Sequence, residues 1–143
     1  MKEIGRVTVD IDNLYSLHFN CPILEIPYIR MVEQELRDNP PMHNSEYYVY
    51  LKKEYDRGVE VFGTIKTEMQ LENRYYEWKN LIASMRKGYK ENKKYEIHEN
   101  GLPYGGITAI LREDKMEVVD GHHRLAILLA LGYDQVDIIL FRE

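Results

Sequence analysis

Seven consecutive apolar residues, Leu125-Ala126-Ile127-Leu128-Leu129-Ala130-Leu131, follow directly on the polar run Asp120-Gly121-His122-His123-Arg124. A helix that is apolar on nearly every side is stable only when neighbouring elements cover it. Gly132 is the residue expected just past its end, and Val136 to Phe141 reads as a strand beyond. Upstream, Ile107 to Leu111 and Met116 to Val119 are β-rich runs joined by Arg112-Glu113-Asp114-Lys115, a polar connection suited to a hairpin. Strands around a covered helix place the chain in the α/β (α+β) class.

Earlier segments carry their own punctuation. Val7 to Ile11 alternates apolar and polar residues with period two, which predicts a strand with one buried face. Pro22 and Pro27 keep Cys21 to Tyr28 extended before a short helix over Ile29 to Leu36, which Asn39-Pro40-Pro41 ends. Asn44 or Ser45 can cap a helix whose Tyr47, Tyr48, Leu51 and Tyr55 share one face and which stops at Gly58. Packing explains this stripe better than base stacking, since Glu46, Glu54 and Asp56 give the face the wrong sign for a nucleic-acid strand. Thr67 and Gln70 form a capping box for a long helix in which Leu71, Tyr75, Trp78, Ile82, Met85 and Tyr89 recur at spacings of three and four. Gly88 and Lys90 to Lys94 mark its end.

The 143 residues suit one domain, and 44% hydrophobic residues suffice for a core. A net charge of −5 is a poor footing for nucleic-acid binding, so DNA is not an expected partner. Cys21 alone excludes an internal disulfide or an all-cysteine metal cluster, and it reads as a small core side chain. With no signal-like leader and no apolar run of spanning length, the sequence reads as cytoplasmic, without a membrane partner.

The chemistry concentrates at Val118-Val119-Asp120-Gly121-His122-His123-Arg124, where a strand turns into the covered helix. A helix N-terminus exposes unpaired N–H groups and carries roughly half a positive charge, so it favours acids and disfavours cations. Here the first turn holds His122, His123 and Arg124, an arrangement that becomes favourable if an anion such as phosphate sits at the helix end. Gly121 would let backbone approach that ligand, and Asp120 can cap the helix or hold Mg2+ against phosphates. The plainer reading makes Asp120 an N-cap, His122 and His123 surface residues, and Arg124 half of an ion pair. A zinc site is disfavoured because no i, i+4 His or Cys partner exists, with His18, His43 and His98 scattered in loops.

Val119-Asp120-Gly121-His122-His123-Arg124-Leu125-Ala126, followed by Ala130-Leu131-Gly132 and a strand, resembles the signature of the ParB/sulfiredoxin superfamily. The resemblance implies one compact domain over 1–143, a small mixed sheet with flanking helices, with a motif core over 101–141 and a helical insertion or N-terminal helices over 29–90. It also implies that the motif turn holds nucleotide phosphates. Sulfiredoxins carry a catalytic cysteine after the motif glycine, where this chain has His122, so rescue of oxidised cysteine is not expected. Partition ParB proteins follow the motif with a helix-turn-helix, whereas only two residues follow Phe141 here.

Asp-Gly-His-His-Arg is most similar to the run found in archaeal ADP-dependent free-serine kinases. That likeness implies that Asp120 and His123 arrange nucleotide, Mg2+ and acceptor hydroxyl, with Gly121, His122 and Arg124 around the phosphates. It also implies a catalytic Glu near the end of the first strand, for which Glu25 stands in a comparable region and Glu33 is second choice. Gly105 and Gly106 occupy the place of the family's nucleotide loop, either as ligand-binding backbone or as a plain turn, and Thr108 can add a hydroxyl. The expectation is a protein that binds ATP, ADP or CTP and acts as a kinase or nucleotide hydrolase on a small hydroxyl compound. The alternatives are a non-catalytic nucleotide sensor using its Tyr-rich helices as a homodimer or partner surface, and, third, a DNA-binding or nuclease role.

Overall fold

The computed structural model describes residues 1–58, 65–89, 96–97 and 99–143; the lysine run at 90–94 and His98 lie outside them. The chain divides into two compact units, one formed by Met1–Ile29 with Lys90–Glu143 and the other by Arg30–Tyr89. The sequence reading of one domain with a helical segment over 29–90 thus corresponds to two units, the helical one inserted into the chain of the other.

The first unit is mixed α/β. Its strands are β1 (Lys2–Asp10), β2 (Leu14–Ser16), β3 (Cys21–Pro22), β4 (Glu96–Ile97), β5 (Pro103–Tyr104), β6 (Thr108–Arg112), β7 (Lys115–Asp120) and β8 (Gln135–Arg142). Six of them make a sheet in the order β1-β8-β6-β7-β2-β3, while β4 and β5 pair separately. β6 and β7 form the expected antiparallel hairpin, but Arg112 pairs with Lys115, so Glu113 and Asp114 alone make the turn. The covered helix, α4 (His122–Ala130), then carries the chain to β8, which runs parallel to β6.

Central position accounts for the apolar runs. β6 and β8 have neighbours on both sides, and Thr108, Ala109 and Ile110 are buried in succession, as are Ile138 to Phe141. Strands buried on both faces read as continuous rather than alternating hydrophobics. Ile110, Ile139 and Phe141 form one packed cluster, with Leu102 and Val119 against it. Leu125 to Leu128 of α4 are wholly buried. Cys21, expected in the core, is only half-buried on the two-residue β3.

The second unit contains α2 (Glu46–Asp56) and α3 (Glu68–Lys87), with most of α1 (Tyr28–Asp38). Ser45 caps α2 by accepting from Tyr48 N, and Gln34 accepts from Glu46 N while donating to the Asn44 carbonyl. The capping box at Thr67 and Gln70 is formed in both directions. Tyr47 stacks on Trp78 at 4.3 Å and Tyr48 meets Tyr75 edge-on at 5.8 Å, over Leu51, Leu71, Ile82 and Met85. The aromatic stripe expected to offer a partner surface is therefore mostly interior, which leaves Val49, Met69 and Tyr76 exposed on these helices. Among the described residues no helix is long and apolar enough to cross a membrane.

Trp78→Ala is expected to cost about 3–5 kcal/mol by opening a cavity under Tyr47. Tyr76→Ala, two positions away and 52% exposed, should stay within about 0.5 kcal/mol. Urea unfolding of the two variants checks the contrast.

Candidate functional site

The site lies wholly within the first unit, at the junction of β7 and α4. Gly121 is the helix N-cap, with φ 100° and ψ 15°, a left-handed conformation that favours glycine. A Cβ there would stand 2.8 Å from Ile107 Cα and 2.9 Å from the Gly106 carbonyl oxygen. What approaches the motif glycine on the side a Cβ would occupy is the chain's own 106–107 backbone, which by itself requires a glycine here. α4 then begins with the N–H groups of His122, His123 and Arg124, which precede the first intrahelical bond, Leu125 N to Gly121 O at 2.9 Å.

The N-cap position falls to Gly121 and not to Asp120, the last residue of β7. Asp120 Oδ2 instead accepts from Gly105 N at 2.9 Å. That N–H was expected to face a phosphate; here it ties the 105–107 loop to the end of β7. Asp120 retains a second carboxylate oxygen, and a magnesium ion held mainly by phosphate oxygens asks for only one or two protein carboxylates. The residue fits that role, although no group of three or more potential ligands occurs among the described residues. Thr108 is fully buried and its hydroxyl donates to the Pro103 carbonyl at 3.4 Å, so it braces the loop rather than facing outward.

The two histidines diverge. His122 is buried, its Nε2 2.8 Å from Ser16 Oγ at the end of β2, and Ser16 Oγ also accepts from Phe19 N at 2.9 Å. Burial first, and then the nearby His18, lower its pKa from 6.5 to about 4. His122 is therefore neutral at pH 7 and adds no cationic charge to the turn, and its Nε2 is engaged with Ser16. His123 is half-buried and stacks on Tyr28 at 4.2 Å. Arg124 is half-buried, and no carboxylate among the described residues lies within ion-pair distance of it.

Sequence reading missed the β2–β3 turn. His18 and Phe19 lie 5.9 Å from the His122 ring, centroid to centroid, and Phe19 packs edge-on against Tyr28 at 5.1 Å. Ser16 and His122 are 106 positions apart, and no local pattern announces such a pair. Glu25 sits exposed at the end of the 3-10 turn Ile23–Glu25, and Glu33 belongs to the other unit.

Gly121→Ala should cost more than the ~1 kcal/mol of an average substitution, because backbone and not a flexible side chain blocks the new methyl. Thermal unfolding measures it. His122 yields a pH signature: between its ordinary 6.5 and about 4 the unfolded chain holds a proton that the folded chain does not. Its contribution to stability is constant above pH 6.5 and falls by up to about 3 kcal/mol as the pH drops to 4. Urea titrations of wild type and His122→Gln should converge by that amount over the window.

Comparison of the chain with protein-family profiles, with curated proteins and with solved structures returned no match.

Proposed function

We propose that this chain is a ParB/sulfiredoxin-like protein that binds a nucleotide (ATP, ADP or CTP) with its phosphates at the start of α4. With Mg2+ it passes a phosphoryl group to a hydroxyl on a small molecule. One observation carries the reading: the first turn of α4 contains no acid, and Arg124 stands in it without a carboxylate partner among the described residues. Three N–H groups and a guanidinium at one helix end are complementary to phosphate oxygens.

Phosphoryl transfer asks a protein mainly for alignment and charge neutralisation. Arg124 would offer two parallel N–H donors, and the helix end would hold the phosphates in register. Asp120, fixed by Gly105 N, would hold Mg2+, which when bound supplies further neutralisation of the phosphates. His123 and Asp120 would orient the acceptor hydroxyl and take its proton. Glu25, exposed on its turn, remains the candidate carboxylate from the resemblance.

A second reading, a nucleotide sensor without turnover, is favoured by the engagement of Asp120 with Gly105 N, which already couples the junction to a loop that a ligand could reorder.

Incubation with each nucleotide, Mg2+ and a panel of small hydroxyl compounds distinguishes the two. Conversion of nucleotide with label on the acceptor supports the kinase, binding without conversion supports the sensor, and absence of binding overturns both. Arg124→Ala should weaken nucleotide binding by about 1.5–3 kcal/mol while leaving the melting temperature nearly unchanged. Calorimetric titration that finds equal affinity would remove the start of α4 as the phosphate site.

A further inference from the structure

The two edges of the six-stranded sheet differ in kind. β3 is two residues long and contains Pro22, which leaves little backbone to pair. β1 is nine residues long without proline, pairs with β8 on one side only, and has no buried residue. A bulge between Glu3 and Gly5 interrupts its first part, so Arg6 to Asp10 is the regular stretch, in unbroken register with Ile139 to Gln135. Along it Val7 and Val9 are half-buried on one face, while Arg6, Thr8 and Asp10 are exposed on the other.

The geometry points to β1 as a self-pairing edge: two copies of this chain join antiparallel through Arg6–Asp10 about a two-fold axis at Thr8. An axis perpendicular to the sheet keeps each residue on its own face, so only registers that oppose like-faced residues are allowed. Centred on Thr8, the register opposes Arg6 to Asp10 twice, Val7 to Val9 twice, and Thr8 to Thr8. Opposite charges, β-branched pairs and Thr–Thr pairs are the cross-strand combinations that stabilise antiparallel ladders. Centred on Arg6 the like charges meet, and centred on Val7 Ile4 faces Asp10. The strand is therefore complementary to itself in the register centred on Thr8, and the partner is a second copy rather than a foreign peptide.

Neighbouring side chains hold these groups in place within the protomer. Gln135 Nε2 donates to Asp10 Oδ1 at 2.8 Å, and the Thr8 hydroxyl donates to Asp137. The inference is independent of nucleotide binding, because none of Arg6 to Asp10 belongs to the β7–α4 junction.

Sedimentation equilibrium of the full chain over a concentration series tests it. Wild type should dimerise, Arg6→Asp and Asp10→Arg should each raise the dissociation constant about tenfold or more, and the double swap Arg6→Asp/Asp10→Arg should restore it. In a Cys21→Ser background, Thr8→Cys should cross-link to a covalent dimer on mild oxidation, whereas Lys2→Cys should not; this readout stands even if a charge variant folds poorly. A chain that stays monomeric, a dimer indifferent to the swaps, or equal cross-linking at both positions overturns the proposal.

Discussion

The close contact between Gly121 and the 106–107 backbone is the constraint on which the first unit depends. With 2.8 Å from an added Cβ to Ile107 Cα, the end of β7 and the loop before β6 can meet only at a residue without a side chain. The left-handed turn there redirects the chain from β7 into α4, and α4 returns it to β8 parallel to β6. Asp120 and Thr108 secure the same loop from either side, one through Gly105 N and the other through the Pro103 carbonyl. The junction is a structural knot first, and any chemistry at the helix end inherits its rigidity.

Much of this was legible in the residues. The capping box, the three-and-four spacing of α3 and the strand–helix–strand order around Leu125–Leu131 all express short-range rules, and the elements formed accordingly. The motif run was also visible, because a strand-to-helix junction with cations in its first turn is locally anomalous. The reasons assigned to individual residues fared less well wherever they depended on distant partners. Thr108 and His122 are polar residues whose hydrogen bonds go to Pro103 and Ser16, and their burial follows from the sheet order β6-β7-β2, which no window of sequence contains. His18, read as one of several scattered loop histidines, lies beside His122 for the same reason.

The bounds of the helical segment were legible in the sequence, whereas its packing as a unit of its own was not, for a different cause. Apolar content and length bound the amount of core, not its number of centres. Tyr47, Trp78, Tyr48 and Tyr75 pack on one another in the helical unit, whereas Ile110, Ile139 and Phe141 gather on the sheet. Both clusters draw on the same composition, so only the contacts separate them.

Neutral His122 changes the electrostatic argument for an anion at α4. Three cationic groups in a first turn would oppose the helix dipole, each by some tenths of a kcal/mol. Burial removes the charge of His122, so the turn carries less repulsion than its sequence suggests and needs an anion less urgently. What remains is Arg124 and His123 together with oriented backbone N–H groups, and the attraction of those N–H groups comes from fixed dipoles rather than from net charge. Under the proposed function such a site would hold a compact phosphate within a chain of net charge −5, without the broad positive field that attracts a nucleic-acid backbone.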